Sequence, residues 1–130
     1  MTILVVEDEP YVAELLQETL EAEGNRCILA ADASGADRVL ATSTVEAITL
    51  DLMIPGRDGL DWLETLADSR PDLARRTLVV TGSALGTAER ARVAAVGARI
   101  LAKPFRIEQL LDRLREVLPP PEPSARGPRN

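Results

Sequence analysis

Five short apolar runs, spread over the first hundred residues, constrain this chain more than any other feature. They are ILVV (3–6), CILA (27–30), AITL (47–50), LVV (78–80) and ILA (100–102). Each has the length of a strand, and four of the five lack alternation. Such strands must be covered on both faces, as in a parallel sheet between two layers of helices. Helical spacing fills the gaps. Val12, Leu15, Leu16, Thr19 and Leu20 form one apolar stripe, Leu63, Leu66 and Ala67 a second, and Ile107, Leu110, Leu111, Leu114 and Leu118 a third. Two weaker helices are expected, over 34–41, opening as a capping box with Ser34 and Asp37, and over the alanine-rich segment 87–96. Gly24 and Gly97 stand where helix C-caps belong.

The resulting order, strand then helix five times over, implies an α/β fold with right-handed crossovers and helices on both faces. Five strands and five helices predict a flavodoxin-like doubly wound parallel sheet with strand order 2-1-3-4-5. One folded domain is expected over 1–118. Beyond it, PPPEPSARGPRN (119–130) holds five of the nine prolines and no apolar period, and reads as a disordered tail or linker.

Composition removes several functions. A net charge of −6 argues against direct nucleic-acid binding, which needs Lys and Arg to neutralise phosphates. With no histidine there is no Ser-His-Asp or Cys-His site and no histidine metal centre. The chain itself therefore cannot supply a phosphohistidine. The single cysteine, Cys27, is expected as a buried thiol in a reducing compartment. Met1 leads directly into TILVV without a basic stretch, and no apolar run approaches the ~18 residues of a membrane span. A soluble cytoplasmic protein with no membrane partner is expected.

Chemistry collects where the strands end. Glu7 and Asp8 follow the first run, Asp51 the third, Thr81 the fourth and Lys103 the fifth. In an open parallel sheet, ligands bind outside the carboxyl ends of the strands at the switch in strand order. In the order 2-1-3-4-5 that switch lies between strands one and three, so Glu7, Asp8 and Asp51 converge there with Thr81 and Lys103 beside them. Two carboxylates ~4 Å apart repel by about 4 kcal/mol at an effective dielectric near 20. Lys103 offers one compensating charge, and a hard divalent cation that keeps several waters, Mg²⁺, suits the remainder. A carboxylate bracketed by a metal and an ammonium can attack a phosphoryl donor. Taken singly these residues carry little, since acids before a proline suit a helix start and a lone aspartate after a strand suits a turn. Five of them at the ends of four strands, on one rim, make the case.

These segments resemble the receiver domains of bacterial two-component response regulators, from Thr2 to about Leu118. ILVVEDEP is similar to the family's acidic-pair strand, and LDLMIPGRDGLDWL, with Pro55 and Gly59 at the family's spacing from Asp51, to its phosphoacceptor segment. VVTGSA and GARILAKPF are similar to its threonine and lysine strands. The resemblance implies that Asp51 is the phosphoacceptor, with Thr81 as the switch hydroxyl and Lys103 as its cationic partner. It implies a Mg²⁺ site from Asp8, Glu7 through a bound water, Asp51 and the backbone carbonyl of Met53. It implies a cis bond before Pro104, and a histidine kinase or histidine phosphotransfer protein as donor. The chain departs from the family at Ile100, where an aromatic or histidine is usual, and at Arg99, where acids are usual in regulators that dimerise through this region. A phosphatase of the haloacid-dehalogenase type is the enzymatic rival. It needs an acid two residues after the nucleophile, and that residue is Met53. A phosphorylation-independent binding module is the other rival, and the intact acid, threonine and lysine set weighs against it. A P-loop is absent.

Overall fold

The structure, a computed structural model, describes residues 1–82 and 84–118. Five parallel strands, β1 (Thr2–Val6), β2 (Arg26–Ala30), β3 (Ala47–Leu50), β4 (Thr77–Thr81) and β5 (Arg99–Ala102), lie in the order β2-β1-β3-β4-β5. The helices are α1 (Pro10–Ala22), α2 (Ala33–Thr42), α3 (Gly59–Ser69), α4 (Pro71–Arg75), α5 (Thr87–Ala95) and α6 (Ile107–Val117). Fold class and strand order are as predicted. The proline-rich tail expected over 119–130 lies outside the described residues.

The missing alternation in the strands has its cause in two cores. Leu4, Val6, Ile48, Leu50 and Val79 point into one, packed by α2, α3, α4 and α5. Ile3, Val5, Ala47, Leu78, Val80 and Leu101 point into the other, under α1 and α6. Trp62 anchors the first. Its ring is buried and its indole N–H donates to Asp37 Oδ1 at 2.9 Å, which ties α3 to α2.

Four expectations are corrected. There are six helices among the described residues, because Pro71–Arg75 forms a single turn that buries Leu73 and Ala74 and is too short for a period to show. The cap of α2 is Asp32, not Ser34. Asp32 has extended backbone and accepts from Gly35 N at 2.7 Å, so the helix starts earlier, and Asp37 is left to meet Trp62. Leu15 and Ile107 belong to the expected stripes but lie exposed, since α1 buries Ala13, Leu16 and Leu20 and α6 buries Leu110, Leu114 and Val117. Cys27 is half-buried rather than buried, since β2 is an edge strand. Burial and the charge of Glu21 push its thiol up to about 11, so it is not a reactive thiolate at neutral pH. Gly24 and Gly97 do end helices, with φ of 90° and 83°.

One core position is at odds with its surroundings. Thr49 is 1% exposed, shares the face of Ala47, and its hydroxyl finds no hydrogen-bond partner among the described residues. An unpaired buried hydroxyl costs about 1–3 kcal/mol, whereas a valine of the same shape costs nothing of this kind. Thr49→Val is therefore expected to raise the unfolding free energy by about 1 kcal/mol, measured as a higher denaturation midpoint at unchanged m-value. A lower midpoint would show that the hydroxyl is satisfied.

Candidate functional site

Each predicted residue reaches the carboxyl rim by a local route. β1 ends at Val6, and the chain passes through Glu7 and Asp8 before Pro10 opens α1. Proline at the first helical turn sacrifices no hydrogen bond, so the helix begins directly after the acids. β3 ends at Leu50, and Asp51 N donates to Val6 O at 3.0 Å, which sets the two acidic strand ends side by side. The next stretch turns back on itself, and Gly59 N donates to Leu52 O at 3.2 Å. A Cβ on Gly59 would stand 2.5 Å from Leu52 Cα, so only glycine admits this approach. Asp58 caps α3 by accepting from Leu60 N and Asp61 N at 2.9 and 3.0 Å.

The convergence expected between strands one and three is present. Glu7, Asp8 and Asp51 each offer a carboxylate oxygen, all within 4.8 Å of one another. Glu7 and Asp51 are buried while Asp8 is exposed. Lys103 Nζ donates to Glu7 Oε1 at 2.9 Å and to Asp51 Oδ2 at 3.0 Å. The other oxygen of Asp51, Oδ1, accepts from Met53 N at 2.9 Å. Thr81 is buried at the end of β4, and its carbonyl accepts from Lys103 N at 3.0 Å, which aligns the lysine with the rim. The bond before Pro104 is cis. The Met53 side chain is exposed and lines the pocket mouth with Asp8, Glu9, Gly82 and Lys103.

Burial raises the Glu7 carboxyl above the ordinary glutamate value. The hydrogen bond from Lys103 pulls it back, and the charge of Asp51 pushes it further up. Burial pulls the Lys103 ammonium down, but its bonds to Glu7 and Asp51 outweigh this and hold it above the ordinary lysine value. The site therefore holds one ammonium against several carboxylates. The donor set is all oxygen, and exposed Asp8 leaves one side open to solvent. That combination fits a hard divalent ion which keeps part of its water shell.

Glu9 also stands at this cluster, although it was not among the residues expected there. Its carboxylate stands 3.9 Å from Lys103 Nζ, and its backbone N–H donates to Glu7 Oε2 at 3.2 Å. The third acid of EDEP was its only signal.

If the carboxylates repel as this geometry implies, Asp8→Asn should stabilise the metal-free protein by up to about 1 kcal/mol. That allows for the solvent screening of an exposed group. Denaturant unfolding in a chelator measures it. A mutant less stable than the wild type under those conditions would refute the repulsion.

Comparison with known proteins follows the same line. The family model described as response regulator receiver domain matches residues 3–115. The probable transcriptional regulatory protein TcrX of Mycobacterium tuberculosis is 35% identical over 118 residues, 91% of this chain and 50% of that protein. The response regulator MprA of Mycobacterium avium is 36% identical over 119 residues, 91% of this chain and 51% of its own length. The chain thus spans about half the length of these relatives. Among solved structures, the non-phosphorylated HemR receiver domain from Leptospira biflexa superposes with a TM-score of 0.81 at 33% identity, covering 93% of this chain and 98% of that one. The response regulator TrrA from Thermotoga maritima, in complex with Mg(2+)-BeF, superposes with a TM-score of 0.77 at 25% identity, covering 90% and 98%. An acidic rim at the β1/β3 switch, the strand order that creates it and these matches lead to one conclusion: the chain belongs to the response regulator receiver domain family of two-component systems.

Proposed function

We propose that this domain is a phosphoacceptor. Asp51 takes a phosphoryl group from a phosphohistidine on a partner histidine kinase or histidine phosphotransfer protein, in a Mg²⁺-dependent step, and the modified domain presents an altered binding face. The observation that carries this reading is the Lys103 ammonium held between Glu7 and Asp51 beside exposed Asp8. It is a nucleophilic carboxylate with cationic support and an open approach.

In the transfer, a carboxylate oxygen of Asp51 bonds to phosphorus while the bond from phosphorus to the imidazole nitrogen breaks, and its electron pair returns to the ring. The product is an acyl phosphate. Met53 N and Lys103 fix the Asp51 carboxylate before attack, so little orientational freedom is lost in reaching the transition state. Lys103 then lies beside the transferring oxygens and balances their charge. Glu7, Asp8, Asp51 and the Met53 carbonyl would hold Mg²⁺, which when bound neutralises further negative charge on the phosphoryl group. The Mg(2+)-BeF complex of the related TrrA supports that choice of ion. The donor would meet apolar surface on one layer of helices: Tyr11 and Leu15 on α1 and Ile107 at the start of α6 are exposed.

The new group carries nearly two negative charges. It would draw the Thr81 hydroxyl towards it and reorder the loop leading to α5. Helix α5 is loosely packed and buries only Val93, and Arg92 clamps it to α3 through Glu64 at 2.6 Å and Asp61 at 2.9 Å. Ile100 is β-branched and stiff about its first torsion, with no polar tip to expose, so β5 would contribute little to the signal. Receiver domains are signalling domains rather than classical enzymes, and Asp51 is consumed as an acceptor until its acyl phosphate is hydrolysed.

With Mg²⁺ and a small phosphodonor, intact mass is expected to show one added phosphoryl group. Asp51→Asn should abolish it, because a neutral amide is a poor nucleophile. Equal modification of the mutant would move the acceptor elsewhere.

A further inference from the structure

Glu9 occupies the N-cap position of α1, where the shorter Asp, Asn, Ser or Thr would accept hydrogen bonds from the first helical amides. Its side chain makes no such bond. The carboxylate turns instead into the pocket mouth, 3.9 Å from Lys103 Nζ, with its side chain 65% exposed. Its origin is set by the bond from its own N–H to Glu7 Oε2. A fourth carboxylate therefore stands over the approach to Asp51, sharing the one ammonium that Glu7 and Asp51 already hold.

We infer that Glu9 is a specificity-determining residue for the phosphodonor, strengthening Mg²⁺ binding while repelling free anionic donors from Asp51. This rests on the phosphoacceptor reading above. The two effects have opposite sign because a single charge acts on a cation in one case and an anion in the other. A small dianion must pass Glu9 with its charge uncompensated. A phosphohistidine on a protein arrives with whatever cations its own surface supplies, so the same carboxylate would bias the site away from metabolite phosphates and towards a protein donor. A carboxylate that only shaped the start of α1 would produce neither effect.

The test compares two donors of different charge at saturating Mg²⁺. Acetyl phosphate is a dianion at neutral pH. Its phosphorus–oxygen bond breaks as Asp51 attacks, and acetate leaves with the electron pair. Phosphoramidate is a monoanion there. Its phosphorus–nitrogen bond breaks, and ammonia leaves with the protons its nitrogen already carries. At low salt, Glu9→Gln should react with acetyl phosphate about three- to tenfold faster than the wild type. With phosphoramidate the gain should be about the square root of that factor, because the charge is halved. Both gains should vanish near 1 M salt, where screening acts over about 3 Å. Mg²⁺, titrated by amide shifts without any donor, should bind Glu9→Gln about two- to fivefold more weakly. Glu18→Gln, an exposed acid two turns further along α1, should match the wild type in all of these. Equal gains with the two donors, gains that survive 1 M salt, or unchanged Mg²⁺ affinity would overturn the inference. If wild type is modified at Asp51 and Glu9→Gln behaves like it, the inference alone falls. If neither donor modifies the wild type, the phosphoacceptor reading falls and this inference with it.

Discussion

The rim of this domain depends on the Lys103 ammonium. Two buried carboxylates, Glu7 and Asp51, face each other across the β1/β3 boundary, and Lys103 bridges both at about hydrogen-bond distance, 2.9 and 3.0 Å. Without a cation there, burial and the charge of Asp51 would raise the Glu7 carboxyl unopposed, and the repulsion across the boundary would go uncompensated. The lysine comes from the far end of the chain, 96 residues from Glu7 and 52 from Asp51. Its placement relies on the whole sheet being assembled in the right order. Fold and site are thus a single problem: only a sheet with β3 between β1 and β4 brings the acids together and lets the lysine from β5 reach them past Thr81.

The elements around the rim differ in how firmly they are packed. β1, β3 and β4 are buried on both faces, and the return of the chain from Asp51 to α3 is locked by the contact of Gly59 with Leu52 and by the Asp58 cap. Helix α5, in contrast, has one buried residue and a surface ion-pair clamp, Arg92 with Asp61 and Glu64, in which the hydrogen bond between Arg92 and Glu64 lowers the Glu64 carboxyl and raises the Arg92 guanidinium. Contacts of that kind are individually weak in water. Under the proposed switching, an element held this way would be the one to move with Thr81, while the strands stay in place.

The fold was legible in the sequence because the parallel sheet leaves its mark in four of the five strands: ILVV and LVV have no polar side to show. The acids, threonine and lysine were legible for a related reason, since each stands one or two residues beyond an apolar run and the topology sends all such residues to one edge. What the sequence did not disclose depends on direction rather than on position. EDEP gives no sign that Glu9 abandons its helix cap for the pocket. Nothing near Ser34 shows that Asp32 outcompetes it as a cap, because the choice turns on where the backbone leaves β2. Pro71–Arg75 is too short for a repeating pattern to show. Trp62 and Asp37, 25 residues apart, meet only because α2 and α3 share a face.

Asp51, held by Lys103 among Glu7 and Asp8, is the proposed phosphoryl-accepting centre of the domain. A crystal structure with Mg²⁺ and beryllofluoride, compared with the free protein, tests it most directly. The account expects beryllium on a carboxylate oxygen of Asp51, fluorides accepting from Lys103 and the Thr81 hydroxyl, and Mg²⁺ ligated by Asp8, Asp51 and the Met53 carbonyl, with Glu7 reaching it through water. It also expects the loop before α5 to shift while β5 around Ile100 stays in place. An adduct on any other residue, or Mg²⁺ bound away from Asp8 and Asp51, would contradict it.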